Sequence, residues 1–321
     1  KRIDKGLPED AFVRVVREDP ARAGLLYAGT EAGLFVSFDD GGEWHSLDLN
    51  LPPVPITDLS IRQNTLVAAT QGRGFWVLDD LFMVRAAAEG IGESPVQVFT
   101  AARTYDLDNR GWRGEDFEAR NPASGVRIYY HLEEAVAKDA EEPLRIEILD
   151  QDGNVVRRFQ STESEQERCL LRKSDPRRPY KPSYPPAKQG LNHWNWRGDA
   201  QGFHCVNDIT LFAGFRGPPV AAGTYTARVT ANGHSAESAF EWLHDPRQEA
   251  SEQALEDWHA RMDETAGLLE DLLTGLDELR SARDQTQALM DSHPGDAALQ
   301  ESGAAIVDAV ESWDHTVIQP L

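Results

Sequence analysis

The chain has 321 residues and 40% hydrophobic content, enough for two or three domains with ordinary cores. Its formal net charge of −22 and pI near 4.7 argue against nucleic acid and anionic membranes as partners, because both demand basic surface. No run approaches the roughly 18 apolar residues of a membrane span. Basic residues are mostly arginine, with lysine only at Lys1, Lys5, Lys138, Lys173, Lys181 and Lys188. An acidic, arginine-rich surface fits a salty or extracellular setting, and simple solubility explains it as well.

The chain opens Lys1-Arg2-Ile3-Asp4 without Met, which points to a piece of a longer protein. From there to about residue 82 it reads as strands. They are Phe12–Val16, Leu25–Thr30, Gly33–Ser37, Trp44–Leu47, Ile56–Ile61, Thr65–Thr70 and Gly74–Leu78. These strands contain a repeat. Leu26-Tyr27-Ala28-Gly29-Thr30 followed by Gly33-Leu34-Phe35-Val36 returns as Leu66-Val67-Ala68-Ala69-Thr70 followed by Gly74-Phe75-Trp76-Val77. A period of about 40 residues suggests four-stranded propeller blades, here about two of them. Two blades do not close a ring, so at least one blade face is expected to be bare.

Between the copies lies Ser37-Phe38-Asp39-Asp40-Gly41-Gly42-Glu43-Trp44, an S-x-D-x-G-x-x-W pattern called an Asp-box. Ser37 and Asp39 can bond nearby backbone N–H groups, Gly41 or Gly42 supplies positive φ, and Trp44 anchors the next strand. The expected role is structural. The second copy ends Leu78-Asp79-Asp80 with no Gly or Trp after it, so its box is lost. With Tyr27-Ala28-Gly29-Thr30-Glu31 and Ala69-Thr70-Gln71-Gly72-Arg73-Gly74-Phe75-Trp76, the box resembles the end of the β-propeller in bacterial Asp-box (BNR-repeat) proteins described as glycosyl hydrolase-like. That repeat type is related to those of sortilin and xyloglucanase. Glu43 stands where such boxes usually carry Thr. The resemblance runs along most of the chain, but its motifs are structural and transfer no catalytic residue.

Residues 83–94 read as a linker. Residues 95–245 read as an immunoglobulin-like β-sandwich, with strands at Val126–Leu132, Leu144–Leu149, Val155–Phe159, Gly190–Trp196, Gly223–Val229 and Ser235–Trp242. Asp150-Gln151-Asp152-Gly153-Asn154 is a hairpin signal. Val220-Ala221-Ala222-Gly223-Thr224-Tyr225 resembles the Pro-Ala-Gly-Thr-Tyr pattern of flagellar hook-capping Ig-like domains. Cys169 and Cys205 form one disulfide or remain two buried thiols; sequence leaves both open. From 246 to 321 the pattern is a helical hairpin. Asp245 can cap the first helix with Pro246 in its first turn. Leu255, Met262, Leu269 and Leu276 recur every seven residues, with Trp258, Leu272 and Leu279 as a second stripe. Asp296 can cap a second helix lined by Leu299, Ile306, Val310, Trp313 and Val317. This second helix is shorter, so the first is expected to pack on something beyond the hairpin.

The sequence offers no catalytic residue, no cofactor motif and no metal-ligand spacing. Asp79 and Asp80 are neighbours on a strand, so they point apart and do not form a glycosidase pair. Arg73 is expected to be structural. Asp106-Leu107-Asp108-Asn109-Arg110-Gly111 begins like a calcium loop, but Arg110 spoils the fifth position and Phe117 stands where a bidentate Glu is required. Tyr180 and Tyr184 flank a Pro-rich loop and are the candidate sugar-stacking residues, whereas Trp194 and Trp196 read as core.

The fold class expected is therefore mainly β with an α-helical C-terminus: partial propeller, Ig-like sandwich and long helical hairpin. The function expected is a non-catalytic binding or assembly segment of a larger secreted or periplasmic propeller protein. Its partners would be the rest of that propeller, a carbohydrate or protein, or a second copy meeting at the bare blade face or helix seam. The alternative is an accessory part of a glycoside hydrolase whose carboxylates lie upstream.

Overall fold

The structure, a computed structural model, describes residues 2–107, 124–172, 181–207, 209, 211 and 214–318. They form mainly β-sheets followed by two C-terminal helices. The first sheet is antiparallel in chain order: β1 (Val13–Glu18), β2 (Leu26–Thr30), β3 (Leu34–Ser37) and β4 (His45–Ser46). The second is β5 (Ile56–Arg62), β6 (Thr65–Thr70) and β7 (Phe75–Leu78), also in order. The expected strands match these to within a residue or two at their ends. Every residue of β2 and β3 is buried, because both faces of the first sheet are covered. One face, with Tyr27, Leu34 and Val36, meets Ile56, Leu59 and Leu66 of the second sheet. The sheets approach so closely that a Cβ on Gly29 would lie 2.6 Å from Ile56 Cγ2. The other face, with Leu26, Ala28, Phe35 and Trp44, is capped by Leu7.

The stretch expected as a linker begins within a helix, α1 (Leu81–Ala87). Its local sequence is apolar on one side, and Leu81 and Val84 drop into the core shared by the two sheets. Arg85 on the same helix pairs at 3.0 Å with Asp19, whose side chain is fully buried and also accepts from the Tyr27 hydroxyl and Ala21 N–H. A buried carboxylate must be satisfied in this way.

Two further sheets enclose the largest core. One has order β13 (Gly190–Trp196), β10 (Val126–Leu132), β8 (Val96–Thr100). The other has order β12 (Val155–Gln160), β11 (Arg145–Leu149), β14 (Gly223–Ala231), β15 (His234–His244), β9 (Arg103–Asp106). Neighbours are antiparallel except β9, which joins β15 in parallel. Strict alternation on β10 turns Val126, Ile128, Tyr130 and Leu132 inward, opposite Ile146, Ile148, Ala227 and Val229. Trp196 is fully buried at the centre, edge-on to Tyr225 and Phe240. The hairpin at Asp150 closes as expected: its carboxylate accepts from the Asp152 and Asn154 amides at 2.9 and 2.8 Å. None of the sheets among the described residues closes on itself.

The long helix α3 (Glu252–Ser292) starts seven residues after Asp245, with Ser251 rather than Asp245 as its N-cap. Asp245 is instead tied to Arg247 through its backbone and guanidinium, so the expected Asp245 cap is corrected. Ser251 accepts from the third amide beyond it, as an N-cap does. α4 (Ala297–Val317) runs back with Asp296 capping it through Leu299 N–H. The Leu255–Leu276 stripe does turn inward at Leu276. Its companion, however, is the stripe four residues further on, His259 and Leu273, and not Trp258, Leu272 and Leu279, which stay at least a third exposed. On a straight helix i+3 and i+4 lie on opposite sides of i, and sequence does not say which side is covered. The cover here is supplied by Val206, Ile209 and Phe215, which pack on Leu273 and Leu276. The first helix thus has its partner beyond the hairpin. No helix among the described residues is long and apolar enough to cross a membrane.

Candidate functional site

The Asp-box folds as a closed turn. Ser37 Oγ donates to Asp39 Oδ1 at 2.8 Å and accepts from Gly41 N–H at 2.9 Å, while the Glu43 amide donates to Asp39 Oδ1 at 2.9 Å. Asp40 and Gly41 carry the positive φ values, 58° and 81°. The Glu43 amide, and after it Ser37, hold the Asp39 carboxyl below its usual range. Trp44 is buried and its indole N–H donates to Ile3 O at 2.8 Å. The side-chain contacts of Ser37 and Asp39 are spent within the turn.

The repeat registers 41 residues apart at this point, so Asp80 is the counterpart of Asp39. It does different work. Asp80 has positive φ, 58°, which Asp39 has not; there the chain turns into α1, and among the described residues no fourth strand joins this sheet. Its buried carboxylate accepts from Tyr129 OH at 2.9 Å and pairs with Arg127 at 2.8 Å, across to β10. Burial raises its pKa, and the Arg127 charge opposes that rise. The Tyr129 ring meets Phe82 on one side and His193 on the other. Asp79 has no part in this pairing. Arg73 is exposed, and its carbonyl accepts from the Trp76 indole at 3.2 Å.

A cleft of about 1450 Å³ opens where the edge strands β12 and β13 of the two facing sheets diverge. Phe159 from β12 and Trp194 from β13 meet edge-on at 5.4 Å, and the Arg157 guanidinium lies 5.0 Å over the Phe159 ring. One wall is a helix the sequence reading missed, α2 (Glu165–Arg172). Its signal was present: Ser164 and Glu167 form a reciprocal capping box, with Ser164 N–H on Glu167 Oε2 at 2.8 Å. The Cys169–Cys205 disulfide ties α2 to the opposite segment, resolving the two cysteines as a pair. Tyr184 lines the cleft beside Pro185 and Lys181. Tyr180 lies outside the described residues, as do Asp108 to Gly111 and Phe117 of the calcium-like stretch. Trp196 is core as expected; Trp194 is half-buried, packs against the same core and also lines the cleft. Among the described residues no group of three or more metal-ligating side chains is assembled.

A second surface is the outer face of the β5–β7 sheet. Phe75 and Val77 on the edge strand β7 are 78% and 57% exposed, beside half-buried Val67 and Ala69 on β6. Their repeat counterparts on the first sheet are Leu34, Val36, Tyr27 and Gly29, and these are the residues that pack on the second sheet. The first sheet's partner-facing surface therefore recurs on the second sheet, where no further sheet covers it among the described residues.

No protein-family model matches the chain, and no curated protein matches it. Among solved structures it is similar to PorZ, described as an essential bacterial surface component of the type-IX secretion system of human oral-microbiomic Porphyromonas gingivalis. The identity is 12% and the TM-score 0.21, over 73% of this chain. The chain spans 23% of that protein's length, and a likeness at this TM-score carries no argument about fold or function.

Proposed function

We propose that the chain is a non-catalytic assembly segment of a larger β-propeller protein. In this reading residues 1–82 supply two blades, 95–245 an immunoglobulin-like spacer and 246–321 a helical hairpin. The observation that carries it is the bare face of Val67, Ala69, Phe75 and Val77. Its counterpart on the first sheet is buried by a following copy of the repeat, so the occupant that fits is a further sheet of the same repeat. The Asp-box is a structural turn in this reading, since its polar atoms are used internally. A secreted or periplasmic location is supported by the Cys169–Cys205 disulfide, which persists in oxidising compartments.

Hydrogen exchange tests the assembly role. In the intact longer protein the β7 amides should exchange about tenfold or more slowly than in residues 1–321 alone, as expected for a strand brought under cover. Equal rates would leave the face without a partner sheet and remove the reading. Turnover of aryl glycosides by residues 1–321, abolished by replacing one of their own carboxylates, would also overturn it and favour an enzyme.

A further inference from the structure

The cleft between β12 and β13 is unused by the assembly role, and its lining is at odds with the rest of the molecule. The whole chain carries a formal charge of −22, yet five cations, Arg157, Arg158, Lys181, Arg197 and Arg216, line the cleft against two carboxylates, Glu167 and Asp199. Both carboxylates are engaged. Glu167 accepts from the Ser164 N–H and hydroxyl, and Asp199 stands 3.8 and 3.6 Å from Arg157 and Arg216. Arg158 is neutralised by Glu147 at 2.8 Å. Lys181 and Arg197 are exposed, and among the described residues neither has a carboxylate at ion-pairing distance.

The lining also includes the rings of Phe159, Tyr184 and Trp194 and the carboxamides Gln160, Asn195 and Gln201, among prolines, serines and aliphatic side chains. Three side chains of this wall hold buried polar atoms with no hydrogen-bond partner among the described residues: Arg157 Nε, Trp194 Nε1 and Asn195 Oδ1. The neighbouring groups are otherwise well placed. Asn195 Nδ2 donates to Ser124 O at 2.7 Å and Arg157 Nη1 to Ala200 O at 3.0 Å. Buried polar atoms left without a partner are uncommon in a folded wall.

We infer that this cleft binds an acidic oligosaccharide, its carboxylates taken by Lys181 and Arg197 and its rings laid against Tyr184 and Trp194. The Gln160 carboxamide offers a donor and an acceptor side by side, which matches neighbouring hydroxyls on a sugar, whereas Gln201 is held by the Arg158 amide and Gln166, and Asn195 Nδ2 by Ser124 O. Guanidinium groups match carboxylates. The cleft exceeds the size of a site for one small ligand, so several sugar units fit. A purely acidic peptide would use the cations but leave the carboxamide and ring surfaces less well matched.

The test is calorimetric titration of residues 1–321 with a tetragalacturonate, a neutral glucan tetrasaccharide and a tetraglutamate peptide. The uronate should bind, with affinity falling as salt rises from about 50 to 500 mM. The neutral saccharide should bind about tenfold or more weakly, and so should the peptide. Arg197→Glu with Lys181→Glu should cost the uronate about tenfold or more, with the melting temperature unchanged because both side chains are exposed. Should that pair fail to fold, Arg197→Gln alone should still weaken binding, and protection of the residue 190–197 amides by the uronate should mark the site. No uronate binding at millimolar concentration overturns the inference. Equal binding of the neutral saccharide, equal or tighter binding of the peptide, or an unaffected charge-reversed variant does so as well. None of these outcomes bears on the assembly face at β7, so the two readings fail separately.

Discussion

Single residues in this protein are best understood by asking where each polar atom is spent. Asp39 accepts hydrogen bonds from the Ser37 hydroxyl and the Glu43 amide, and its carboxyl is held below its usual range by them. Such a group stabilises the fold above its unfolded pKa and loses that contribution as pH falls below the ordinary carboxylate value of 3.8. Asp39→Ala should therefore lower the melting temperature near neutral pH, and the gap to wild type should narrow in acid. A calorimetric pH series checks both parts. His259 shifts in the same direction, but from burial rather than from hydrogen bonds. It is buried between His244, stacked at 5.7 Å, and Trp258, and its Nδ1 has no hydrogen-bond partner among the described residues. Burial lowers its pKa, the His244 charge adds to that, and Asp263 and Asp106 oppose it. The unfolded chain then binds the proton more readily, so stability is lost as pH falls through the ordinary histidine value of 6.5. His259→Phe should flatten the melting curve against pH between about 7 and 5. An unchanged slope would remove His259 as the cause.

At the scale of elements, three fasteners hold the helices and α2. Arg280 on α3 grips Asp314 on α4 with two bonds of 2.8 and 2.9 Å and reaches Asn207 O at 2.7 Å, so one guanidinium joins both helices to the segment beneath. The Arg280 bonds, and after them its charge, hold the Asp314 carboxyl below its usual range. Asp314→Ala should cost about 1–3 kcal/mol, mostly by leaving a largely buried guanidinium short of partners. Gly303 sits where α4 lies close against α3: a Cβ there would lie 2.4 Å from Met290 Sδ. Gly303→Val should overpack the crossing and destabilise by about 1–3 kcal/mol, read from denaturant midpoints. The Cys169–Cys205 bond closes a separation of 36 residues, and its loss in a Cys169→Ser, Cys205→Ser variant should cost about 3 kcal/mol. Comparing oxidised and reduced wild type gives the same quantity without substitution.

Across the whole molecule, the junction between the first two sheets and the larger β unit rests on Asp80. Its carboxylate is buried at the end of β7 and is met from β10 by Arg127 and Tyr129. Removing the cation leaves a charge in a poor solvent, so Arg127→Ala should destabilise by about 2–3 kcal/mol at neutral pH. Burial already raises the Asp80 pKa, so its ionisation works against folding above 3.8. The variant's deficit should thus shrink as pH is lowered from about 7 towards 4, and Asp80→Asn in the same background should recover part of the loss. A deficit that grows in acid would mean that Asp80 is not the group left exposed to the low dielectric.

Most of the strands were legible because their cause is local. Val126–Leu132 alternates at period two and is a strand over those same residues; Thr65–Thr70 and Gly190–Trp196 are likewise bounded by Gly or turn residues. Asp296 and the Asp150 hairpin were legible for the same reason: a short polar side chain bonding backbone a few residues away needs no distant partner. Partners distant in sequence were not legible. The apolar sides of α3 could face either way until Val206, Ile209 and Phe215 covered Leu273 and Leu276. In sequence Asp80 is one of two adjacent acids at a strand end, and only the approach of Arg127 and Tyr129 makes it a buried junction carboxylate. The cysteines could pair or stay apart until α2 was set against residue 205. Tyr184 was picked out as an aromatic in a Pro-rich loop, but the cations and Trp194 beside it come from strands and segments that meet only when β12 and β13 lie at the open edges of facing sheets. Periodicity and turn chemistry act between near neighbours and are written in the chain. Burial, charge pairing and clefts depend on which surfaces meet, and tertiary structure decides that.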